Sequence, residues 1–105
     1  MINIKAVPAL GEVFCIEIED TDRREGPVGY VLGTEIPKKL AYIWNVYVRP
    51  KQRRRGYGRK MIEALQAMYP IVATQIVTNK SKDMFKEMGF KREKGELIWR
   101  ESGSI

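Results

Sequence analysis

The sequence predicts a single α+β domain: a mixed, largely antiparallel sheet with a central strand-turn-helix-strand crossover. Three observations carry this. Four strand-like runs follow one another over residues 2–48. From Gly58 the apolar residues switch to helical spacing. A short apolar run, Ile71–Val77, then follows, so the helix joins parallel strands and the connection is expected to be right-handed. The 105 residues suit one domain with a modest core.

The first strand is expected over Ile2–Val7, with a break at Pro8–Gly11. Glu12–Asp20 places Phe14, Ile16 and Ile18 on one face, and its other face carries Val13, Cys15, Glu17 and Glu19. Thr21–Pro27 is a polar turn. Val28–Ile36 is the third strand, with Gly29 and Gly33 marking close backbone approach or bulges. Leu40–Val48, rich in β-branched and aromatic residues, is the most strand-like run of all. In the first helix Met61, Ile62, Leu65, Met68 and Tyr69 share the apolar side, and Pro70 ends it. Ser81–Met88 reads as a second helix, with Ser81 as N-cap and Gly89 just past its end. A terminal hairpin follows, with Leu97 and Trp99 on one face and Glu96–Glu101 as an exposed edge. That edge motivates a homodimer. Residues 102–105 are expected to be a disordered tail. Trp44 and Trp99 read as core or interface, Cys15 as a small buried apolar residue, and Met61, Met68, Met84 and Met88 as core-facing.

Composition narrows the chemistry. There is no histidine and one cysteine, which removes Ser-His and Cys-His nucleophile pairs and histidine- or cysteine-based zinc sites. Acid–base work must fall to Glu, Asp, Lys, Tyr, backbone or water. One cysteine cannot form an internal disulfide and fits a reducing cytoplasm. No apolar run is long enough for a transmembrane helix, and the first residues lack signal-peptide character. The net charge of +6 favours phosphates, nucleic acid or acidic partners. Seven of the twelve residues from Arg49 to Lys60 are Lys or Arg, and none is acidic.

Two glycines punctuate that run, in "RRRGYGRK", between a strand and an amphipathic helix. A helix N-terminus offers unpaired N–H groups and a partial positive charge, so it binds anions. Gly56 and Gly58 admit a bulky phosphate, and neighbouring arginines add charge-assisted bonds. The stretch matches neither the nucleoside-triphosphate loop nor the dinucleotide fingerprint, whose third glycine is Met61 here.

The segment "NVYVRPKQRRRGYGRKMIEAL" resembles the acetyl-CoA-binding segment of the GNAT superfamily of N-acetyltransferases. The family motif, [RQ]-x-x-G-x-[GA], is met by Arg53-Arg54-Arg55-Gly56-Tyr57-Gly58. "TNKSKDMFKEMGF" resembles the family's last helix, and the likeness spans roughly residues 12–100. It implies a GNAT-like fold, truncated because only "PALG" stands where relatives usually place two helices. It implies an enzyme that moves an acetyl group from acetyl-CoA directly to a primary amine. Pyrophosphate would lie on the turn and helix N-terminus, over Arg53, Arg54, Arg55, Gly56, Tyr57, Gly58 and Arg59. Pantetheine would run along Val46, Tyr47 and Val48, with an N–H near Val46 polarising the thioester carbonyl. Asn79 and Phe85 fall where the last helix of relatives meets the cofactor. Tyr42 occupies the position of a catalytic glutamate in some relatives and is read as anchoring a water that carries the proton, or as packing. Phe85 replaces the tyrosine that often protonates the leaving thiolate. The general acid is thus unassigned, between unassisted departure and another tyrosine such as Tyr47 or Tyr30. The open acceptor side suits a protein or peptide amine. The competing readings are a nucleic-acid-binding module using residues 49–60, with Tyr57 its only interleaved aromatic, and a catalytically silent acyl-CoA binder.

Overall fold

The computed structural model describes residues 1–7, 11–22, 26–75 and 79–101, except the side chains of residues 79–81. The expected break at Pro8–Leu10, part of the turn at Arg23–Glu25, the strand end at Ile76–Val77 and the tail at 102–105 lie outside the described residues. The strands are β1 (Ile2–Val7), β2 (Val13–Asp20), β3 (Pro27–Ile36), β4 (Leu40–Val48), β5 (Ile71–Gln75), β6 (Lys91–Glu93) and β7 (Glu96–Arg100). The helices are α1 (Tyr57–Met68) and α2 (Asn79–Glu87), with a 3-10 turn at Pro50–Gln52.

The strands form one sheet in the order β1-β2-β3-β4-β5-β7-β6. All neighbours are antiparallel except β4 and β5, the pair joined through α1. Only five residues separate β1 from β2, too few for intervening helices. Because β7 lies between β5 and β6, the expected exposed edge at Glu96–Glu101 is corrected: the sheet edges are β1 and β6.

Strand alternation decides where the core sits. Phe14, Ile16, Ile18, Val31, Ala41, Ile43, Val72 and Leu97 are buried on one face. On it lie Tyr57, Met61, Ile62 and Leu65 of α1 and Phe85 of α2. The two helices share that face, since Gln66 Nε2 donates to the Met88 carbonyl at 3.1 Å and Arg59 reaches Glu87 at 3.4 Å. The opposite face, with Cys15, Glu17, Tyr30, Leu32, Tyr42, Asn45, Tyr47 and Ile98, carries no helix among the described residues.

Three expectations need correction. Met68 is 54% exposed, because it ends α1 where the helix leaves the sheet, while Tyr69 turns inward and donates to Glu35. Burial and that carboxylate push the Tyr69 phenol up to about 12. Ser81 is not an N-cap, because α2 starts at Asn79. Trp44 is not core: it is 52% exposed in a β-bulge. Leu32 pairs with Asn45 and Gly33 with Ile43, so Trp44 faces no β3 residue.

Gly33 stands at that bulge. A Cβ there would lie 2.0 Å from the Tyr42 carbonyl oxygen and 2.7 Å from the Phe14 ring. Gly33→Ala is therefore expected to destabilise the domain by about 3 kcal/mol, the upper range for forced overpacking. Urea unfolding would check this; an unchanged midpoint would contradict the tight approach.

Candidate active site

The bulge sets where β4 and β5 part. Among the described residues their parallel ladder covers Leu40–Ile43 against Ile71–Thr74. The last rung is clipped by the Thr74 hydroxyl, which donates to the Ile43 carbonyl at 3.3 Å. Among the described residues, 45–48 pair with β3 alone. Because strand N–H and C=O groups alternate between edges, about half of those in this stretch point away from β3 into the gap. Val46 and Val48 are half-buried there, and Tyr47 lies on the helix-free face.

At the mouth of the gap is the glycine turn. Arg54 and Gly56 both have positive φ, 66° and 79°. Left-handed residues set at this spacing curl the backbone so that its N–H groups converge, a geometry suited to anions. A Cβ on Gly56 would meet nothing within 4 Å, so that side of the turn is open. At Gly58 it would lie 3.8 Å from Val46 and 3.9 Å from Val48, so a longer side chain would fill the space between α1 and β4. A cavity of about 360 Å³ opens here, lined by Val48, residues 52–54 and 56–59 of the turn, and Met84 of α2. No acid stands in the first turn of α1 to neutralise its N-terminus. An extended thioester carrying a pyrophosphate fits this arrangement.

The arginines divide their work. Arg53 Nε donates to the Val48 carbonyl at 3.0 Å, and its guanidinium lies 6.0 Å from the Tyr47 ring centre. Arg59 engages Glu63 and Glu87. Arg54 and Arg55 are exposed on the turn. Tyr57 is buried, and its hydroxyl donates to Asp20 Oδ2 at 2.8 Å. Phe85 is also buried, edge-on to Phe90 at 4.9 Å, and the α2 residue lining the cavity is Met84, which sequence reasoning missed. Asn79 opens α2, and its side chain lies outside the described residues.

On the helix-free face, strand register sets Tyr42 of β4 near Gln75 of β5 and Glu96 of β7. Burial first, then Glu96, raises the Tyr42 pKa. Sequence reasoning also missed Glu96. Its only signal was the terminal hairpin, whose start must be placed beside β5 before Glu96 meets Tyr42. Further along, Tyr30 and Tyr47 stack at 5.4 Å and Asn45 Nδ2 donates to the Tyr30 hydroxyl at 3.3 Å.

A model of the acetyltransferase (GNAT) family matches residues 6–90. The chain belongs to the GNAT family. It is an acetyl-CoA-dependent N-acetyltransferase, and acetyl-CoA is its acetyl donor. Solved GNAT structures share its fold. One is Arabidopsis thaliana NAA60 in complex with acetyl-CoA, at 13% identity and a TM-score of 0.80, covering 98% of this chain and 100% of that one. Another is the Vibrio cholerae spermidine/spermine N-acetyltransferase SpeG, at 12% identity and 0.77, covering 97% and 96%. A third is the ribosomal-protein-S18-alanine N-acetyltransferase of Escherichia coli, at 11% identity and 0.73, covering 93% and 91%. No curated protein sequence matches this chain. Among the described residues of this GNAT domain, no helix is long and apolar enough to cross a membrane, and no cluster of potential metal ligands occurs.

The Tyr57 hydroxyl ties the turn to β2, and this bond lowers the Asp20 pKa from its ordinary 3.8. A lowered carboxyl pKa contributes stability above the ordinary value and loses it as pH falls through the folded one. Tyr57→Phe is expected to be less stable than wild type at pH 7, with the gap closing as pH drops below 3.8. Paired melts across pH would check this; a gap independent of pH would contradict it.

Proposed function

We propose that this chain acetylates a primary amine by direct attack, on a donor seated in the gap between β4 and β5. The supporting observation is the coincidence of three features: the bulge at Trp44, the end of the β4–β5 ladder at Ile43, and the glycine turn at the gap's mouth. Backbone N–H groups from Arg54 to Arg59 would hold the pyrophosphate, helped by the α1 N-terminus. The exposed Arg54 and Arg55 side chains would add charge. Arg53 works indirectly, by holding the end of β4 to the turn. The free edge at Val46, Tyr47 and Val48 would pair with the pantetheine amides, and an N–H near Val46 would polarise the thioester carbonyl. Phe85 has no hydroxyl and is packed inward, so it supplies no proton to the leaving thiolate. Tyr47 and Tyr30 are the tyrosines nearest that edge.

The acceptor would reach the gap from the helix-free face. No helix among the described residues narrows that approach, which favours a protein or peptide amine over a small metabolite. The single aromatic within the basic run, Tyr57, is buried and hydrogen-bonded, so base stacking there is disfavoured.

The test is calorimetric titration with acetyl-CoA on wild type and on Gly56→Glu. At φ 79° the glutamate is strained, and its charge sits where phosphate would lie. Wild type is expected to bind at micromolar affinity and the variant at least about a hundredfold more weakly, a loss of about 2.7 kcal/mol. Equal affinities would remove the turn from the cofactor site.

A further inference from the structure

An alkylammonium has a pKa of about 10.4, so at neutral pH it must lose a proton before it can attack. β4 holds no acid to take it. The fold brings one from the far end of the chain. Tyr42 of β4 lies opposite Ala73 of β5, and Gln75 lies opposite Glu96 of β7. The register puts all three side chains on the helix-free face, with Gln75 and Glu96 the polar groups that act on the Tyr42 hydroxyl. They sit beside the Ile43–Thr74 rung, where β4 and β5 begin to part. The constellation thus stands at the vertex of the gap, on the side open to an acceptor.

The groups around Glu96 leave it this role. Burial first, then the Glu96 carboxylate, raises the Tyr42 pKa, so the phenol stays protonated and is not the base. Glu93 of β6 is directly opposite Glu96, but Arg100 of β7 engages it through both carboxylate oxygens. Lys91 of β6 is two pairs further along, opposite Ile98, and on this face β5 contributes Gln75. One carboxylate of the Glu93–Glu96 pair is held by a guanidinium. The other faces the vertex.

We propose that Glu96 receives the acceptor ammonium and takes its proton, with Tyr42 as the positioning residue that holds the carboxylate over the gap. This rests on the acetyl-transfer reading above. In the step, an N–H bond of the ammonium breaks and its proton passes to the Glu96 carboxylate. The freed nitrogen pair forms a C–N bond to the thioester carbonyl carbon. As that bond forms, the carbonyl π pair moves onto oxygen. It returns as the C–S bond breaks, sulfur leaves with its electron pair, the second N–H proton passes from nitrogen to the thiolate, and the proton held by Glu96 is released to solvent. The ligand class is a primary alkylammonium with no charge of its own beside the amine requiring a partner, so n-butylamine is a sufficient probe.

The test compares wild type, Glu96→Gln and Tyr42→Phe. Acetyl-CoA binding by calorimetry is expected to be the same in all three; failure of wild type to bind would instead overturn the cofactor reading beneath. With coenzyme A bound, n-butylammonium is expected to shift the NMR signals of the Glu96 carboxyl and the Tyr42 ring in wild type, and to leave those of Tyr42 unmoved in Glu96→Gln. Release of thiol from acetyl-CoA with n-butylamine is expected to fall about a hundredfold in Glu96→Gln at pH 7. That deficit is expected to shrink toward pH 10, as a growing share of the amine is already free base. Tyr42→Phe is expected to be slower but to keep the wild-type pH profile. A wild type that binds acetyl-CoA but neither binds nor acetylates n-butylamine overturns the proposal. So does a Glu96→Gln deficit that is absent at pH 7 or constant across pH.

Discussion

A single extra residue in β4, Trp44, breaks the pairing that the rest of the site depends on. Parallel strands joined by a helix ordinarily stay hydrogen-bonded along their length. Here the bulge twists β4 at the point where β5 has just made its last rung. Beyond it, among the described residues, β4 pairs only with β3, and its other edge carries donors and acceptors without strand partners there. An edge of this kind inside a sheet would be costly if left without partners. A ligand with amides along its length answers that need, which links the backbone defect directly to pantetheine chemistry.

The basic run works mostly through backbone and packing. Its positive-φ residues Arg54 and Gly56 lead into the α1 N-terminus, while Arg53, Arg59 and Tyr57 hold the turn to β4, α2 and β2. The exposed ion pairs of Arg59 contribute little stability individually. Their effect is geometric, since they fix the ends of two helices on one face of the sheet. The other face is left without a helix among the described residues, and the titratable groups at the vertex of the gap face that side.

Element order and type were legible from local pattern. The alternation of Phe14, Ile16 and Ile18, the β-branched run Leu40–Val48 and the helical spacing from Met61 each depend on neighbours in the sequence, and all reappear in the structure. So did the glycine turn, because its chemistry is contained in six residues. What escaped depends on partners distant in sequence. The bulge at Trp44 exists only relative to the register of β3. The burial of β7 depends on β6 lying outside it, and Glu96 meets Tyr42 only through that arrangement. Met68 follows helical spacing but falls at the end of α1, where periodicity no longer implies contact with the sheet.

The central claim is that the β4 edge beyond the bulge, together with the glycine turn, seats the donor. Amide hydrogen exchange with and without acetyl-CoA tests it residue by residue. Exchange is expected to slow at Asn45–Val48 and Gly56–Arg59 when the donor binds, and to be unchanged at Ala41–Ile43, already paired with β5. Protection confined to the sheet edges β1 and β6, or none along β4, would contradict the account.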